Sequence, residues 1–492
     1  MLFSSMIFLW VFLPFVIVGN FLLSIGIKNK ETGIKAKNMF LLFCSLIFYA
    51  WGEINYLFIM LGSILINYLG GRIVAEIKHR RKLALALIVI LNLGILFVFK
   101  YFNMVVGILE SILSFKGSGS ELLKSMFSMQ GTGQLGFPQI ILPIGISFFT
   151  FQAMSYVIDV YQNKAKVQKN VFDFALYVSF FPQLVAGPIV KYSDIAEQLR
   201  KRKETMDLFV SGQKRFCYGL AKKVLLANTF GELTDSIWEL ETSELGMAMA
   251  WLGIISYTLQ IYYDFSGYSD MAIGIGRMLG FQFKENFNYP YTSFSIQEFW
   301  RRWHMSLSAW FREYLYIPLG GNRKGMRRTC FNLFIVFLLT GIWHGANFTF
   351  IIWGVVYAVF LIMERLFLGK CLDKNPVKIM NWGYCMLVVI VCWVFFRADN
   401  VFQAMTYLQQ MFGGTETTYS VLSYLSMKVI IAFVIGILFT GLLQRPLKGW
   451  YEKIKENSFV MSCDLCIQML TLVLCIFMLV SGTYNPFIYF QF

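Results

Sequence analysis

The chain has 492 residues, of which 57% are hydrophobic and only 14% charged, and its formal net charge is +15. Soluble domains carry about 25% charged residues, so this composition excludes a water-facing globular protein. The Lys and Arg residues lie in short clusters between apolar blocks, the pattern of the positive-inside rule, which argues against nucleic acid as a partner.

The first third predicts a chain that crosses the bilayer repeatedly. A helix needs roughly 20 apolar residues to cross, and its basic flank marks the cytoplasmic side. Residues 1–26 lack a basic start and a cleavage pattern, so we expect a retained span rather than a signal peptide. Basic clusters at 28–37 and 78–82 then place the N-terminus outside. Further crossings are predicted at 38–51, 56–77, 83–101 and 137–161, with an external loop at 114–136.

The middle of the chain is less regular. Residues 172–190 are apolar but contain Pro182 and Pro188, which break helices, so we expect a re-entrant segment. Crossings are predicted at 208–230 and 246–264. A second, glycine-broken partial insertion is expected at 265–283, and an amphipathic helix at the cytoplasmic interface at 293–316.

The last third predicts five more crossings and an extracellular C-terminus. These crossings are expected at 330–343, 349–368, 379–396, 429–443 and 467–483. The fold class is therefore an all-α polytopic membrane protein with about 11–13 transmembrane helices plus re-entrant and interfacial helices. It is expected in a cell membrane, among membrane lipids.

Two of the three histidines are candidates for chemistry, because an ionisable residue at membrane depth is costly. His344 ends an apolar block between Gly341 and Gly345, which would leave room for a substrate beside the imidazole. His304 lies in an aromatic and basic stretch. Each could instead be a structural histidine, and this alternative is stronger for His304.

Two carboxylates lie close together at Asp264 and Asp270. They could orient a histidine or bind polar groups of a substrate. Asp270 could equally cap a helix that begins near Ser269. Both interpretations stay open on the sequence.

The chain shows no G-x-S-x-G, P-loop or H-E-x-x-H motif, and no cluster of ligands around the histidines that would favour a metal site. One or two histidines without a protein nucleophile suit direct acyl transfer. In such a reaction a base removes the proton of an acceptor hydroxyl, which attacks an activated acyl donor such as a thioester.

Several long motifs, in order and over nearly the whole chain, resemble the membrane-bound O-acyltransferase family, and in particular its bacterial alginate O-acetyltransferase-like branch. They are FFPQLVAGPI at 180–189, YDFSGYSDMAIG at 263–274, NFNYPY at 286–291, FWRRWH at 299–304, YLYIPLGGNR at 314–323, GIWHGAN at 341–347 and the tail NPFIYFQF at 485–492.

The resemblance implies a single domain over 1–492, with a catalytic core at about 137–368 and flanking helices at 1–136 and 369–492. The helices would surround a central funnel where donor and acceptor meet. It also implies that His344 is the catalytic histidine and His304 the second histidine of the site. We expect substrate contacts at seven further positions, which are Asp264, Asp270, Gln183, Trp343, Asn347, Arg301 and Arg302.

The function expected from this resemblance is transfer of an acyl group, in the first instance acetyl, to a hydroxyl of an extracellular polysaccharide. The donor would be acetyl-CoA or another cytosolic acyl thioester, with no tightly bound cofactor. An extracellular or periplasmic partner acetyltransferase is expected. Two alternatives remain, namely D-alanyl transfer to teichoic acid and a non-catalytic scaffold that passes acyl groups to the partner.

Overall fold

The computed structural model describes residues 1–52, 54–113, 140–413, 419–455, 457–482 and 484–488. Within these ranges the chain forms helices, turns and irregular segments, which confirms the predicted all-α class. The external loop predicted at 114–136 lies outside the described residues.

Eighteen helices make up the framework. In chain order they are α1 (Phe8–Gly26), α2 (Lys30–Ala50), α3 (Ile54–Glu76), α4 (Arg81–Leu113), α5 (Ile146–Tyr161), α6 (Val171–Ser179), α7 (Met206–Ala221), α8 (Asn228–Trp238), α9 (Gly246–Met278), α10 (Ile296–Arg302), α11 (Met305–Phe311), α12 (Met326–His344), α13 (Phe348–Lys374), α14 (Lys378–Arg397), α15 (Val401–Gly413), α16 (Met427–Leu442), α17 (Gln444–Ile454) and α18 (Ser458–Ser481). Short helical segments lie at Phe181–Leu184, Tyr192–Ile195, Thr242–Glu244, Pro290–Thr292 and Val421–Tyr424. Two π-helical stretches continue neighbouring helices: Lys222–Ala227 joins α7 to α8 without a break, and Arg312–Tyr316 extends α11.

Eight of the described helices are long and apolar enough to cross a membrane, namely α1–α4, α12–α14 and α18. The count is nine if α16 and α17, which meet at a bend of 63°, form one broken span. This is fewer than the 11–13 expected. The crossing predicted at 137–161 is in its described part a helix of only 16 residues, α5. Those predicted at 208–230 and 246–264 fall in α7–α9, which bury many polar groups inside the protein.

Helix α9 runs unbroken over 33 residues, so the partial insertion predicted at 265–283 is wrong. Its glycines serve close helix packing instead of a break. A Cβ on Gly274 would lie 2.6 Å from the carbonyl oxygen of Gly212 in α7, and a Cβ on Gly212 would lie 2.5 Å from that of Gly274. Small residues of this kind allow two helix backbones to approach closely.

The segment predicted to be re-entrant at 172–190 has the expected broken form. Helix α6 ends at Ser179, Phe180 leaves the helical conformation, and one helical turn beginning at Phe181 follows. Residues 176–192 are all buried. Irregular backbone survives at membrane depth when it is packed inside protein, and here it is so packed.

The prediction of a single amphipathic helix at 293–316 is wrong. The chain forms two short helices, α10 and α11, which are separated at His304, whose φ is +44°. The backbone of Asn286 explains the break, because its carbonyl accepts the N–H of Met305 at 2.9 Å. The carboxylate of Glu364 in α13 accepts the N–H of Ile296 and so caps the start of α10.

Candidate active site

The candidate site lies where α12 ends and the chain turns into α13. His344 is the last residue of α12, and Gly345 continues in an extended conformation. The side chain of Asn347 then caps α13, because its Oδ1 accepts the N–H of Thr349 at 3.1 Å. Its Nδ2 donates to the carbonyl of Asp399 at 2.7 Å. Asn347 was expected to contact substrate, but both ends of its amide hold this corner together.

The imidazole of His344 is enclosed by aromatic rings. Its ring centroid lies 4.9 Å from that of Trp343, 5.0 Å from Trp353 and 5.1 Å from Phe396. The residue is only 4% exposed, and its Nδ1 has no hydrogen-bond partner in the described protein. A buried ring nitrogen without a partner is costly, which points to a ligand or a reacting group as its missing partner.

The two glycines beside His344 do not leave room for a substrate, as the sequence had suggested. A Cβ on Gly345 would lie 2.2 Å from the ring of Phe350, and one on Gly341 would lie 2.4 Å from the carbonyl oxygen of Phe350. Both glycines therefore let α13 pack closely against the end of α12. Access to the imidazole comes from another side.

A small, partly open cavity of about 20 Å³ reaches His344. This volume suffices for about one water molecule, so the ring is not sealed by packing. A larger acyl group would require side chains to move. The lining residues relevant to the chemistry are Lys100, Ser147, Phe148, Val185, Trp343 and His344.

The sequence analysis missed Lys100, which lies in α4 and is 8% exposed. Its Nζ donates to the carbonyl oxygens of Trp343 at 2.5 Å and His344 at 2.9 Å. The hydroxyl of Ser147 is 3.4 Å away. A signal was available, since a lone lysine in the apolar block 83–101 is as unusual at membrane depth as a histidine.

His304 lies close to the same aromatic wall but is not part of the cavity lining. It is fully buried, and its ring meets Phe265 edge to face at 4.6 Å and lies 6.3 Å from Trp343. Its Nδ1 pairs with Oδ1 of Asn286 at 3.1 Å, while Nε2 has no partner in the described protein. Burial lowers the pKa of His304 to about 3, so the imidazole is neutral at pH 7. The structure thus brings both predicted histidines to Trp343.

The two predicted carboxylates lie in the middle of α9 and do not contact either histidine. Asp264 forms a deeply buried ion pair with Lys223 at 2.7 Å. Asp270 lies between Arg215 and Lys222, each at 2.7 Å. Because α9 begins at Gly246, Asp270 caps no helix start, and that interpretation is wrong. Both carboxylates bind neighbouring helices together.

The remaining candidates are divided between the interior and the surface. Gln183 is fully buried and donates from Nε2 to the carbonyl of Tyr177 at 2.5 Å, while its Oε1 has no partner in the described protein. The indole N–H of Trp343 is also buried without a partner there. Arg302 pairs with Glu298 at 2.6 Å, and Arg301 is exposed. Gln183 and Trp343 therefore remain candidates for substrate contacts.

Comparisons with known proteins find relatives of the chain over its full length. The chain is 40% identical to a probable alginate O-acetylase of Pseudomonas putida, over 100% of both chains. It is 35% identical to a peptidoglycan O-acetyltransferase of Helicobacter pylori, over 84% of this chain and 80% of that protein. A teichoic acid D-alanyltransferase of Bacillus subtilis is 28% identical over 51% of this chain and 67% of its own length.

The model of one family matches residues 147–409, a range that contains both histidines and the turn between α12 and α13. Together with the full-length relative, this match establishes the class of the protein. The chain belongs to the MBOAT family, the membrane-bound O-acyltransferases.

Proposed function

We propose that this enzyme transfers an acetyl group from a cytosolic thioester, acetyl-CoA in the first instance, to a hydroxyl of a cell-envelope polysaccharide, with His344 as the general base. The observation that carries the role of His344 is its buried, unpartnered Nδ1 beside a partly open cavity. The full-length similarity to an alginate O-acetylase favours acetyl over D-alanyl, because the D-alanyltransferase relative matches only half of the chain.

The reaction needs no covalent intermediate on the protein. The neutral imidazole accepts the proton of the acceptor hydroxyl while the oxygen attacks the thioester carbonyl. The tetrahedral oxyanion then collapses, the C–S bond breaks, and the imidazolium returns its proton to the leaving thiolate. The aromatic rings around His344 leave space for about one water molecule, which would limit hydrolysis of the thioester.

The proposed orientation places the reaction between the two faces of the membrane. The basic start of α12, at Arg327 and Arg328, would lie in the cytoplasm, and His344 would lie toward the outer face. Both termini would then be extracellular, in the bacterial plasma membrane. The thioester would reach the site from the cytoplasmic side and the polysaccharide from outside, with an extracellular partner acetyltransferase assisting delivery.

The direct test uses the purified protein in lipid vesicles. Radiolabelled acetyl-CoA is supplied together with envelope polysaccharide of the host from which acetyl groups have been removed by mild alkali. We expect base-labile label on the polysaccharide with the wild type and about 10²–10⁴-fold less with His344→Ala. His79→Ala is the matched control, because His79 is exposed in the basic loop.

Each alternative has its own outcome. Normal labelling by a folded His344→Ala variant would remove the general base from the proposal. Transfer of labelled D-alanine from its carrier protein, without transfer of acetate, would make the enzyme a D-alanyltransferase. Acetylation that requires the partner and is insensitive to His344→Ala would favour the scaffold.

A further inference from the structure

The C-terminal end of α12 is held mainly by a neighbouring helix, since its own chain supplies one long hydrogen bond, from the N–H of Gly345 to the carbonyl of Gly341 at 3.4 Å. The last four carbonyls of an α-helix lack partners within the helix and must find them elsewhere. In α12, three of these four carbonyls accept hydrogen bonds from two consecutive side chains of α4. The donors are the Tyr101 hydroxyl to Ile342 O, and Lys100 Nζ to Trp343 O at 2.5 Å and to His344 O at 2.9 Å.

The partners of Lys100 show what its charge is used for. An ammonium group inside an apolar helix is costly, and a nearby carboxylate would be the ordinary way to offset that cost. Among the described residues, Lys100 instead contacts two helix-terminal carbonyls, the hydroxyl of Ser147 more weakly, and the ring of Trp343, whose centroid lies 5.8 Å from its Nζ. The carbonyl end of a helix carries a partial negative charge that favours a cation. Lys100 therefore stabilises this helix end in particular.

The residue that this cap immobilises is the proposed base. His344 is the final residue of α12, and the chain turns away at Gly345. Helix ends fray unless tertiary contacts hold them. Without Lys100 the carbonyls of residues 343 and 344 would lose these hydrogen bonds, and because an unpaired buried carbonyl is costly, the terminal turn would rearrange. A displacement of 1 Å in a reacting group can lower a rate about 100-fold.

We propose that Lys100 is a positioning residue, which with Tyr101 fixes the last turn of α12 and so holds the imidazole of His344 at the cavity. This inference rests on the proposed role of His344 as the base. Lys100 and His344 also line the same cavity.

The test measures kcat and KM for acetyl-CoA with the reconstituted enzyme and the de-acetylated host polysaccharide. We expect Lys100→Met to lower kcat about 100-fold while KM changes less than about 3-fold, because the base is displaced but donor contacts remain. Lys100→Arg should recover at least about 10-fold of this loss, since guanidinium also donates to carbonyls. Tyr101→Phe, which removes one hydroxyl without changing shape, should lower kcat about 3- to 10-fold.

The matched control is Lys428→Met, which removes a lysine from a half-exposed ion pair with Glu232. It should leave kcat and KM unchanged. If Lys100→Met fails to insert in the membrane, Tyr101→Phe alone decides the matter. A wild-type kcat for a folded Lys100→Met, or for Tyr101→Phe in its absence, would overturn the inference.

A double variant separates positioning from an independent contribution. In a His344→Ala background, Lys100→Met should cause no further loss, because the group that it positions is gone. A further loss of about 100-fold would show that Lys100 acts without His344 and would overturn the inference. Full activity of His344→Ala itself would instead sink the proposed function, so the two failures are distinguishable.

Discussion

The two histidines lie beside the same indole ring of Trp343, but only His344 reaches the cavity. His344 ends a helix, faces a partly open cavity and keeps Nδ1 unpaired. His304 lies at the break between α10 and α11, is fully buried and has Nδ1 bound to Asn286, while its Nε2 also has no partner in the described protein. Burial is almost the same for both. Because only His344 reaches the cavity, we expect His344 to act as the base and His304 to support the wall of the site.

The largest expected effect tests this contrast directly. We expect His344→Gln to lower acetyl transfer by about 10²–10⁴-fold, as loss of a general base does. His304→Gln should retain activity to within about 10-fold, because His304 supports the wall of the site without reaching the cavity. Initial rates per folded protein in vesicles provide the measurement. Equal losses in the two variants would contradict the distinction.

The next effect concerns the packing that fixes the end of α12. In Gly341→Ala, the new Cβ would lie 2.4 Å from the carbonyl oxygen of Phe350, so α12 and α13 must separate. We expect the free energy of unfolding to fall by about 3 kcal/mol, as in an overpacked core. Gly383→Ala is the matched control, because a Cβ there meets nothing within 4 Å in a helix interior.

The control should be neutral or stabilising by up to about 1 kcal/mol, since alanine is the better helix former. Thermal unfolding in detergent measures both variants. Equal thermal midpoints for the two would show that the contact between α12 and α13 tolerates a methyl group, and that the turn is less tightly held than its geometry indicates.

Sequence patterns predicted the structure correctly where a residue type is energetically unfavourable in its local surroundings. The apolar blocks predicted most of the long helices, and Pro182 and Pro188 predicted the broken segment. The two histidines singled out in the sequence both lie beside Trp343 in the structure. The family resemblance, carried by ordered motifs, was confirmed. These features depend on local composition, which a single sequence displays.

Sequence patterns failed where the structural role of a residue depends on a contact with a residue distant in sequence. Gly274 looked like a helix break because its close partner, Gly212, lies 62 positions away (274 − 212) on another helix. Asp270 looked like a cap because Arg215 and Lys222 could not be placed beside it. The lone Lys100 in the apolar block 83–101 was a visible signal, but its partners are the carbonyls of residues 343 and 344, which the sequence does not place beside it.

A smaller effect on stability is expected when Asn286, which contacts His304, is replaced. Oδ1 of Asn286 accepts from the N–H of Ser306 at 3.2 Å and from its hydroxyl at 2.8 Å, besides its contact with His304. Asn286→Ala leaves these buried groups unsatisfied, and we expect a loss of about 2 kcal/mol in unfolding free energy. Asn457→Ala, which removes an exposed helix cap, is the control and should cost about 1 kcal/mol or less. Equal losses would contradict the buried role of Asn286.

The smallest effect is a pH dependence of stability. Burial lowers the pKa of His304 to about 3, whereas the pKa in an unfolded chain is about 6.5. Between these values the unfolded chain binds more protons, so the stability contributed by neutral His304 is present above pH 6.5 and declines as the pH falls. From pH 7 to 5.5 the wild type should therefore lose about 1 kcal/mol relative to His304→Gln. Thermal midpoints in detergent at both pH values measure this, and His79→Gln, at an exposed site, should parallel the wild type. If the thermal midpoint of His304→Gln changes with pH as that of the wild type does, the buried ring takes up protons as readily as a solvated one.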